Sequence, residues 1–224
     1  MQRKEFLKKS ALAVAGSMFL PSLTGFSSQK ISASDQINIG AIGINGMGWG
    51  NTLKAVQVPG VNLVAVCDVD ENVINRKLNS KQGAAFKDKV RIYKDYRKML
   101  EQKDIDVVYI GTPDHWHALM MIDAVAAGKH VYVEKPVGNS IGECEAMIAA
   151  QKKYGRIVQV GQWQRSSLHF KEAMAFVHSG KLGPIRTVKV FCYQGWMRPA
   201  GKVADSNPPK GVDYDAWLGP APKV

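Results

Sequence analysis

Two short stretches carry side chains able to move protons: Gly111-Thr112-Pro113-Asp114-His115-Trp116-His117 and Val133-Glu134-Lys135-Pro136. A histidine pair and a lysine converging on one ligand would supply proton-transfer groups and a cation for a substrate oxygen. A third stretch, Gly40-Ala-Ile-Gly43-Ile-Asn45-Gly46-Met47-Gly48-Trp-Gly50, suits phosphate instead. Glycines at a strand-to-helix turn let the backbone approach a pyrophosphate, whose charge the helix N-terminal N–H groups meet. Read as G-x-G-x-x-G, positions 43, 45 and 48 match, except that Asn45 stands at the middle glycine. Asparagine tolerates positive φ better than most residues, and Gly46 offers an alternative point of close approach. Asp68 lies twenty residues beyond Gly48, at the end of the second predicted strand. A carboxylate there hydrogen-bonds the adenosine ribose hydroxyls; helix capping is its competing role, for which Asp70 is better placed. No arginine immediately follows Asp68, and a carboxylate repels a 2′-phosphate, so the expected cofactor is NAD rather than NADP.

These loops need a scaffold, and the hydrophobic pattern supplies one from Ile37 onward. Ile37–Gly43, Val61–Cys67, Val107–Gly111, Val131–Val133 and Ile157–Val160 read as strands. Near-continuous apolar runs such as Val61–Cys67 suit strands buried on both faces, as in a parallel sheet. Between them, Asp114 is a candidate cap for a helix facing inward through Ala118, Leu119, Ile122, Val125 and Ala126 and ending at Gly128. Ser140 with Glu143 forms a capping box before Cys144, Met147 and Ile148, and Gly155 closes that helix. Strands alternating with helices give right-handed βαβ units. The texture changes near Gln162: a helix is expected over 167–179, then an alternating strand over Ile185–Tyr193 with Val188, Val190 and Cys192 on one face. Alternation of that kind belongs to an antiparallel sheet, so 35–162 reads as one domain and 163–224 as the incomplete beginning of another.

The 224 residues are 46% hydrophobic and 22% charged, the composition of an ordinary globular chain. Of the +11 net charge, five basic residues against one acidic lie in residues 1–34, leaving +7 on the body. No arginine-rich or aromatic-basic stretch is present, and nucleic acid is not an expected partner. Cys67, Cys144 and Cys192 are too far apart for a metal knuckle or a disulfide framework, and read as small core residues. Residues 1–34 read as an export signal: a basic MQRKEFLKKS, then ALAVAGSMFLPSL, which is too short to span a bilayer. Arg3-Lys4-Glu5-Phe6-Leu7-Lys8 resembles a twin-arginine signal with lysine at the second arginine. Cleavage fits either Ser32-Ala33-Ser34 or Gly25-Phe26-Ser27. A periplasmic protein without a membrane anchor is expected.

Taken together, the glycine loop, Thr112-Pro113…His117, Gly128-Lys129-His130-Val131-Tyr132-Val133-Glu134-Lys135-Pro136 and Tyr154–Gly161 resemble the Gfo/Idh/MocA oxidoreductases. The resemblance implies a Rossmann-type doubly wound parallel sheet followed by a second α/β domain with a mainly antiparallel sheet over the nicotinamide. It implies NAD held by Gly43, Asn45, Gly46, Met47, Gly48 and Asp68, with Thr112 and Pro113 at the nicotinamide ribose. His117 would secure that loop and Glu134 would anchor the same region. Lys135, before a cis peptide to Pro136, would take the catalytic position against the substrate oxygen; desolvation and nearby positive charge would ready it for proton exchange. His115 and Trp116 match only a subgroup, and Trp116 reads equally as packing or as a sugar-stacking surface. Arg165 reads either as a substrate-cleft residue or as a solvated one. Trp217-Leu-Gly-Pro-Ala-Pro resembles a linker found midway through family members, which implies a truncated chain. The implied activity is reversible hydride transfer with a sugar or cyclitol, in a homo-oligomer when full length. Alternatives are NAD-dependent glycoside cleavage on the same fold and a non-catalytic NAD-binding module.

Overall fold

Short β-branched runs and glycine punctuation become a six-stranded parallel sheet in the computed structural model, which describes residues 35–192 and 204–223 together with Ser32 and Gly201. The export-signal reading lies outside these residues, apart from Ser32. All elements fall within the unit Gln36–Val224. The strands are β1 (Ile37–Ile42), β2 (Val61–Cys67), β3 (Arg91–Tyr93), β4 (Val107–Ile110), β5 (His130–Val133) and β6 (Val158–Val160). Their spatial order is β3-β2-β1-β4-β5-β6. The order reverses between β1 and β4, and at such a switch point the carboxyl ends of the strands open a crevice for a dinucleotide. The helices are α1 (Gly46–Ala55), α2 (Glu71–Leu78), α3 (Tyr96–Leu100), α4 (His117–Ala126), α5 (Ile141–Tyr154), α6 (Leu168–His178) and α7 (Tyr214–Leu218).

Both faces of the sheet are covered. One core packs Met99, Val108, Ile110, Met121 and Val125 beneath α3, α4 and α5; the other packs Ile39, Ile44, Trp49, Val66 and Ile74 beneath α1 and α2. A bulge on β2 adjusts the two faces to each other. Ile39 pairs with Leu63 but Gly40 with Ala65, so the extra Val64 lets Val64 and Ala65 face the first core while Leu63 and Val66 face the second.

Several local expectations are corrected by packing. β3 was not read from sequence, because Arg91-Ile-Tyr93 is a three-residue edge strand with no periodicity to read. Asp114 opens a 3-10 turn (Asp114–Trp116) instead of capping α4. Met120, Met121 and Ala124 face inward, while Leu119 and Ala126 are exposed; starting the helix at His117 rotates its buried stripe. The capping box at α5 forms with one change: Ser140 Oγ accepts from the Glu143 N–H, and Glu143 reaches back to the N–H of Asn139. Gly155 ends α5 with φ +63°, and Met147 is buried, but Ile148 is exposed. Of the cysteines only Cys67 is a core residue, burial pushing its thiol pKa up; Cys144 is half-buried and Cys192 exposed.

The helix expected over 167–179 is α6, yet no residue of it is buried. The antiparallel strand expected at Ile185–Tyr193 does not form within residues 185–192. A lone alternating strand leaves its backbone donors and acceptors without a ladder, and sheets gain independent stability only with about three strands.

Candidate functional site

The glycine loop is shaped by backbone packing. Gly43, at φ +74°, donates its N–H to the Cys67 carbonyl, and Gly111 donates to that of Ile42. A Cβ on Gly48 would lie 1.9 Å from the Gly43 oxygen, and one on Gly111 2.5 Å from Gly48 Cα. These glycines bring the β1–α1 turn against the end of β4. Gly46 differs: at φ +45°, a Cβ there would meet nothing within 4 Å. Gly46 is thus open at the N-terminus of α1, where N–H groups are left for an anion. Asn45 does not adopt the positive φ contemplated for it. It is extended (φ −92°, ψ 163°), and its Oδ1 accepts from Arg76 Nη2 at 3.3 Å. Met47, at the second position of α1, is half exposed.

Asp68 is not a helix cap. Its two oxygens accept from Ile44 N–H at 2.9 Å and Asp70 N–H at 3.1 Å, and Asp70 caps α2 through Asn72 and Val73. Burial raises the Asp68 pKa while these N–H groups oppose the rise. The carboxylate thus braces the glycine loop and keeps lone pairs for a ligand's hydroxyls.

A cavity of about 810 Å³ opens at this edge, walled by Gly43, Asn45, Gly46, Asp68, Thr112, Pro113 and Trp116 among others. That volume suits a cofactor-sized ligand. Thr112 Oγ1 is buried with no hydrogen-bond partner among the described residues, a hydroxyl that a ligand in the cavity can satisfy. The open cradle at Gly46, the Asp68 carboxylate and this orphaned hydroxyl fit a dinucleotide along the switch point.

Glu134, Lys135, His117, His115 and Arg165 stand apart from that wall. His117, buried, secures two loops: its Nδ1 lies 2.6 Å from the Pro136 carbonyl oxygen and its Nε2 3.0 Å from that of Thr112. Buried Glu134 is held by partners that sequence alone does not show. It accepts from Asn51 Nδ2 of α1 at 2.6 Å, from Tyr132 OH at 3.3 Å and from the Lys135 N–H at 3.1 Å. Burial, then the neighbouring Glu134 charge, push the Tyr132 phenol up to about 12. Gly161 leaves room for this pair, since a Cβ would come within 2.7 Å of Tyr132 OH and 2.8 Å of Glu134 Oε1 and those side-chain ends would have to shift. Asn51 offered no signal in sequence because it is one polar residue on a helix, with a partner 83 residues away.

The Lys135–Pro136 peptide is cis, and the Lys135 side chain is exposed. The desolvation expected around its ammonium is therefore not found. His115 and Trp116 both engage one backbone oxygen: the Trp116 Nε1–H donates to the Trp217 carbonyl at 2.9 Å, and His115 Nε2 lies 2.9 Å from the same oxygen. Trp116 also packs edge-on against Tyr96, which favours the packing role. Arg165 is exposed in a 3-10 turn, Trp163–Ser166.

Comparison with known proteins places this geometry. Residues 37–162 match the family model GFO_IDH_MocA, described as an oxidoreductase family with an NAD-binding Rossmann fold. The chain is 32% identical over 155 residues to the uncharacterized oxidoreductase YrbE of Bacillus subtilis, covering 69% of this chain and 44% of that protein. It is 36% identical over 129 residues to a glycosyl hydrolase family 109 protein of Shewanella woodyi, covering 55% of this chain and 26% of the relative. Among solved structures it is similar to scyllo-inositol dehydrogenase of Lactobacillus casei with bound NAD(H) and scyllo-inositol (TM-score 0.58, 27% identity, 66% of this chain and 42% of the other). Myo-inositol 2-dehydrogenase of Lactobacillus plantarum is similarly close (TM-score 0.58, 28% identity, 67% and 43%). The chain thus spans less than half the length of these relatives. With the glycine cradle, the Asp68 brace and a family model matching more than half of its residues, the chain belongs to the Gfo/Idh/MocA oxidoreductase family and carries its NAD-binding Rossmann fold.

Proposed function

We propose that this chain is the cofactor-binding part of an oxidoreductase that moves a hydride between NAD and a carbinol or keto carbon of a sugar or cyclitol. The observation that carries the reading is the carboxyl edge itself. It joins a dinucleotide cradle at Gly46 to a lysine, Lys135, whose backbone is fixed by Glu134 and whose ammonium is free to reach a ligand. NAD, when bound, supplies the hydride chemistry. Gly46 and the α1 N-terminus would hold its pyrophosphate, Asp68 its adenosine ribose, and Thr112 and Pro113 the nicotinamide side. Lys135 donates a hydrogen bond to the substrate oxygen and passes on its proton. Met47 and Gly48 complete the loop, and His117 holds Thr112 against Pro136.

Substrate-side roles for His115, Trp116 and Arg165 belong to this proposal, as do an export signal in residues 1–34, a periplasmic location, a second domain beginning at 163 and a homo-oligomeric whole protein. The named neighbours that bind or act on inositols support the substrate class. The test is NADH formation with a panel of cyclitols and aldoses, using the protein as its native source makes it. Lys135→Met is expected to lose turnover and keep NAD binding; unchanged turnover overturns the assignment. A second reading, glycoside cleavage with transient use of NAD, is favoured by relatives named glycosyl hydrolase family 109 proteins. It predicts free sugar released from a glycoside with no net NADH. NAD binding without either activity would leave a binding module.

A further inference from the structure

Residues 210–219 lie back across the carboxyl edge of the sheet. At one end the segment is fastened to the start of α2: Glu71 N–H donates to the Gly211 carbonyl at 2.9 Å, Asp213 N–H to that of Val69 at 2.9 Å, and Val212 forms an antiparallel bridge with Asp70. Asn72 Nδ2 adds a bond to the Lys210 carbonyl. At the other end it is fastened to the start of α4, where the Trp217 carbonyl accepts from Trp116 Nε1. Gly219, at φ +51°, is pressed so closely on Trp116 that a Cβ would lie 2.0 Å from its ring.

Between these fastenings, Val212 to Trp217 form the wall of the cavity facing Gly43, Gly46 and Asp68. Tyr214 and Trp217, one helical turn apart, stack with ring centroids 5.7 Å apart and planes 15° apart, each still 41% exposed. The cavity also touches Lys94 and Arg97, but both are engaged, Lys94 by Glu71 and Arg97 by Asp95. The wall therefore offers aromatic faces and carboxylate acceptors, with its cations already neutralised. That chemistry suits a flat uncharged base and a ribose with free hydroxyls, and it disfavours an added phosphate.

We infer that the segment 211–219 is part of the dinucleotide site, a strap whose Tyr214–Trp217 pair forms the outer wall against the adenosine half of the cofactor. This rests on the NAD reading above and extends it to residues outside the matched Rossmann segment.

The experiment uses the 224-residue chain with NAD, ADP-ribose and nicotinamide mononucleotide as probes. Tyr214→Ala with Trp217→Ala is expected to weaken NAD and ADP-ribose by about tenfold or more, the scale of one base-stacking contact, and to leave nicotinamide mononucleotide unchanged. Tyr214→Phe with Trp217→Phe is expected to restore binding. Hydrogen exchange on the unmodified chain gives a second reading that no folding defect can disturb: ADP-ribose is expected to slow exchange in 211–219 as well as in 43–48. Undiminished ADP-ribose affinity in the alanine pair, or protection of 43–48 without 211–219, overturns the strap and leaves the cofactor reading intact. Failure of the unmodified chain to bind NAD or ADP-ribose overturns both.

Discussion

At the β1–β2 end of the carboxyl edge, the loop is closed by backbone contacts. Gly48 touches Gly43, Asp68 ties Ile44 to Asp70, and the segment from Gly211 to Gly219 walls the far side. At the β5 end the supports are as firm, with Glu134 and His117 both buried, but the lysine they present is exposed. Holding a cofactor needs a fixed shape, which this chain builds from glycine and backbone. Acting on a substrate needs a side chain enclosed with it, and the described residues supply no enclosure for Lys135.

The sharpest way to break the comparison is at Gly48. Gly48→Val puts a branched side chain where a Cβ alone would lie 1.9 Å from a backbone oxygen. Loss of NAD binding is expected together with a stability loss on the order of 4 kcal/mol, read by urea unfolding. Gly50→Ala, two residues along the same helix and open around its Cβ, is expected to gain about 0.5–1 kcal/mol. Equal effects at the two sites would mean that helix propensity, not close approach, sets the loop.

Asp68→Asn is the next largest. Asparagine keeps one acceptor oxygen and turns an N–H₂ toward a backbone N–H, which costs about 1–3 kcal/mol. The sign with pH follows from the raised native pKa of Asp68. Stability linked to this carboxyl is fully present below the ordinary aspartate value and declines as pH rises through the native one. The wild-type advantage over Asp68→Asn should therefore be greatest in acid and shrink across that window. NAD affinity should run the other way, weakening as pH falls and the ribose-binding carboxylate is protonated. Parallel pH profiles for the two proteins would remove Asp68 from the site.

Glu134→Gln tests the β5 end. The Glu134 charge, one of the causes that hold Tyr132 up, disappears, while burial, the largest, remains and the glutamine oxygen can still accept from the phenol. Spectrophotometric titration is expected to show the phenol falling part of the way from about 12 toward 10.0. No movement would mean that Glu134 does not face Tyr132 in solution.

Legibility in the sequence divides along the same line. Five of the strands, the α5 capping box and the Gly155 stop follow from local pattern, because each depends on residues within one turn or one run. The glycine turn and the strand-end carboxylate Asp68 were legible because both sit at fixed spacing from a strand end. What escaped depends on distant partners: Asn51 on Glu134, Trp116 on the Trp217 carbonyl, Gly161 on Tyr132. The alternating Val188-Val190-Cys192 misled for a related reason. Alternation marks a strand only when a neighbouring strand takes up its hydrogen bonds, and period alone cannot say whether one is there.

Lys135 gives the smallest expected effect and the most informative one. Its side chain is exposed, and its backbone N–H donates to the Glu134 carboxylate, a bond that any residue other than proline at 135 would retain. Lys135→Met should therefore change the melting temperature and unfolding free energy of this chain by no more than about 0.5 kcal/mol, the usual range for a surface substitution. A larger loss would show that the ammonium has a structural partner, and the division between a built cofactor end and an open reacting end would fail. A silent substitution in stability, combined with lost turnover in the whole protein, separates the two ends cleanly. The lysine would then contribute nothing to holding the fold, and its role would begin only when a substrate oxygen comes within reach.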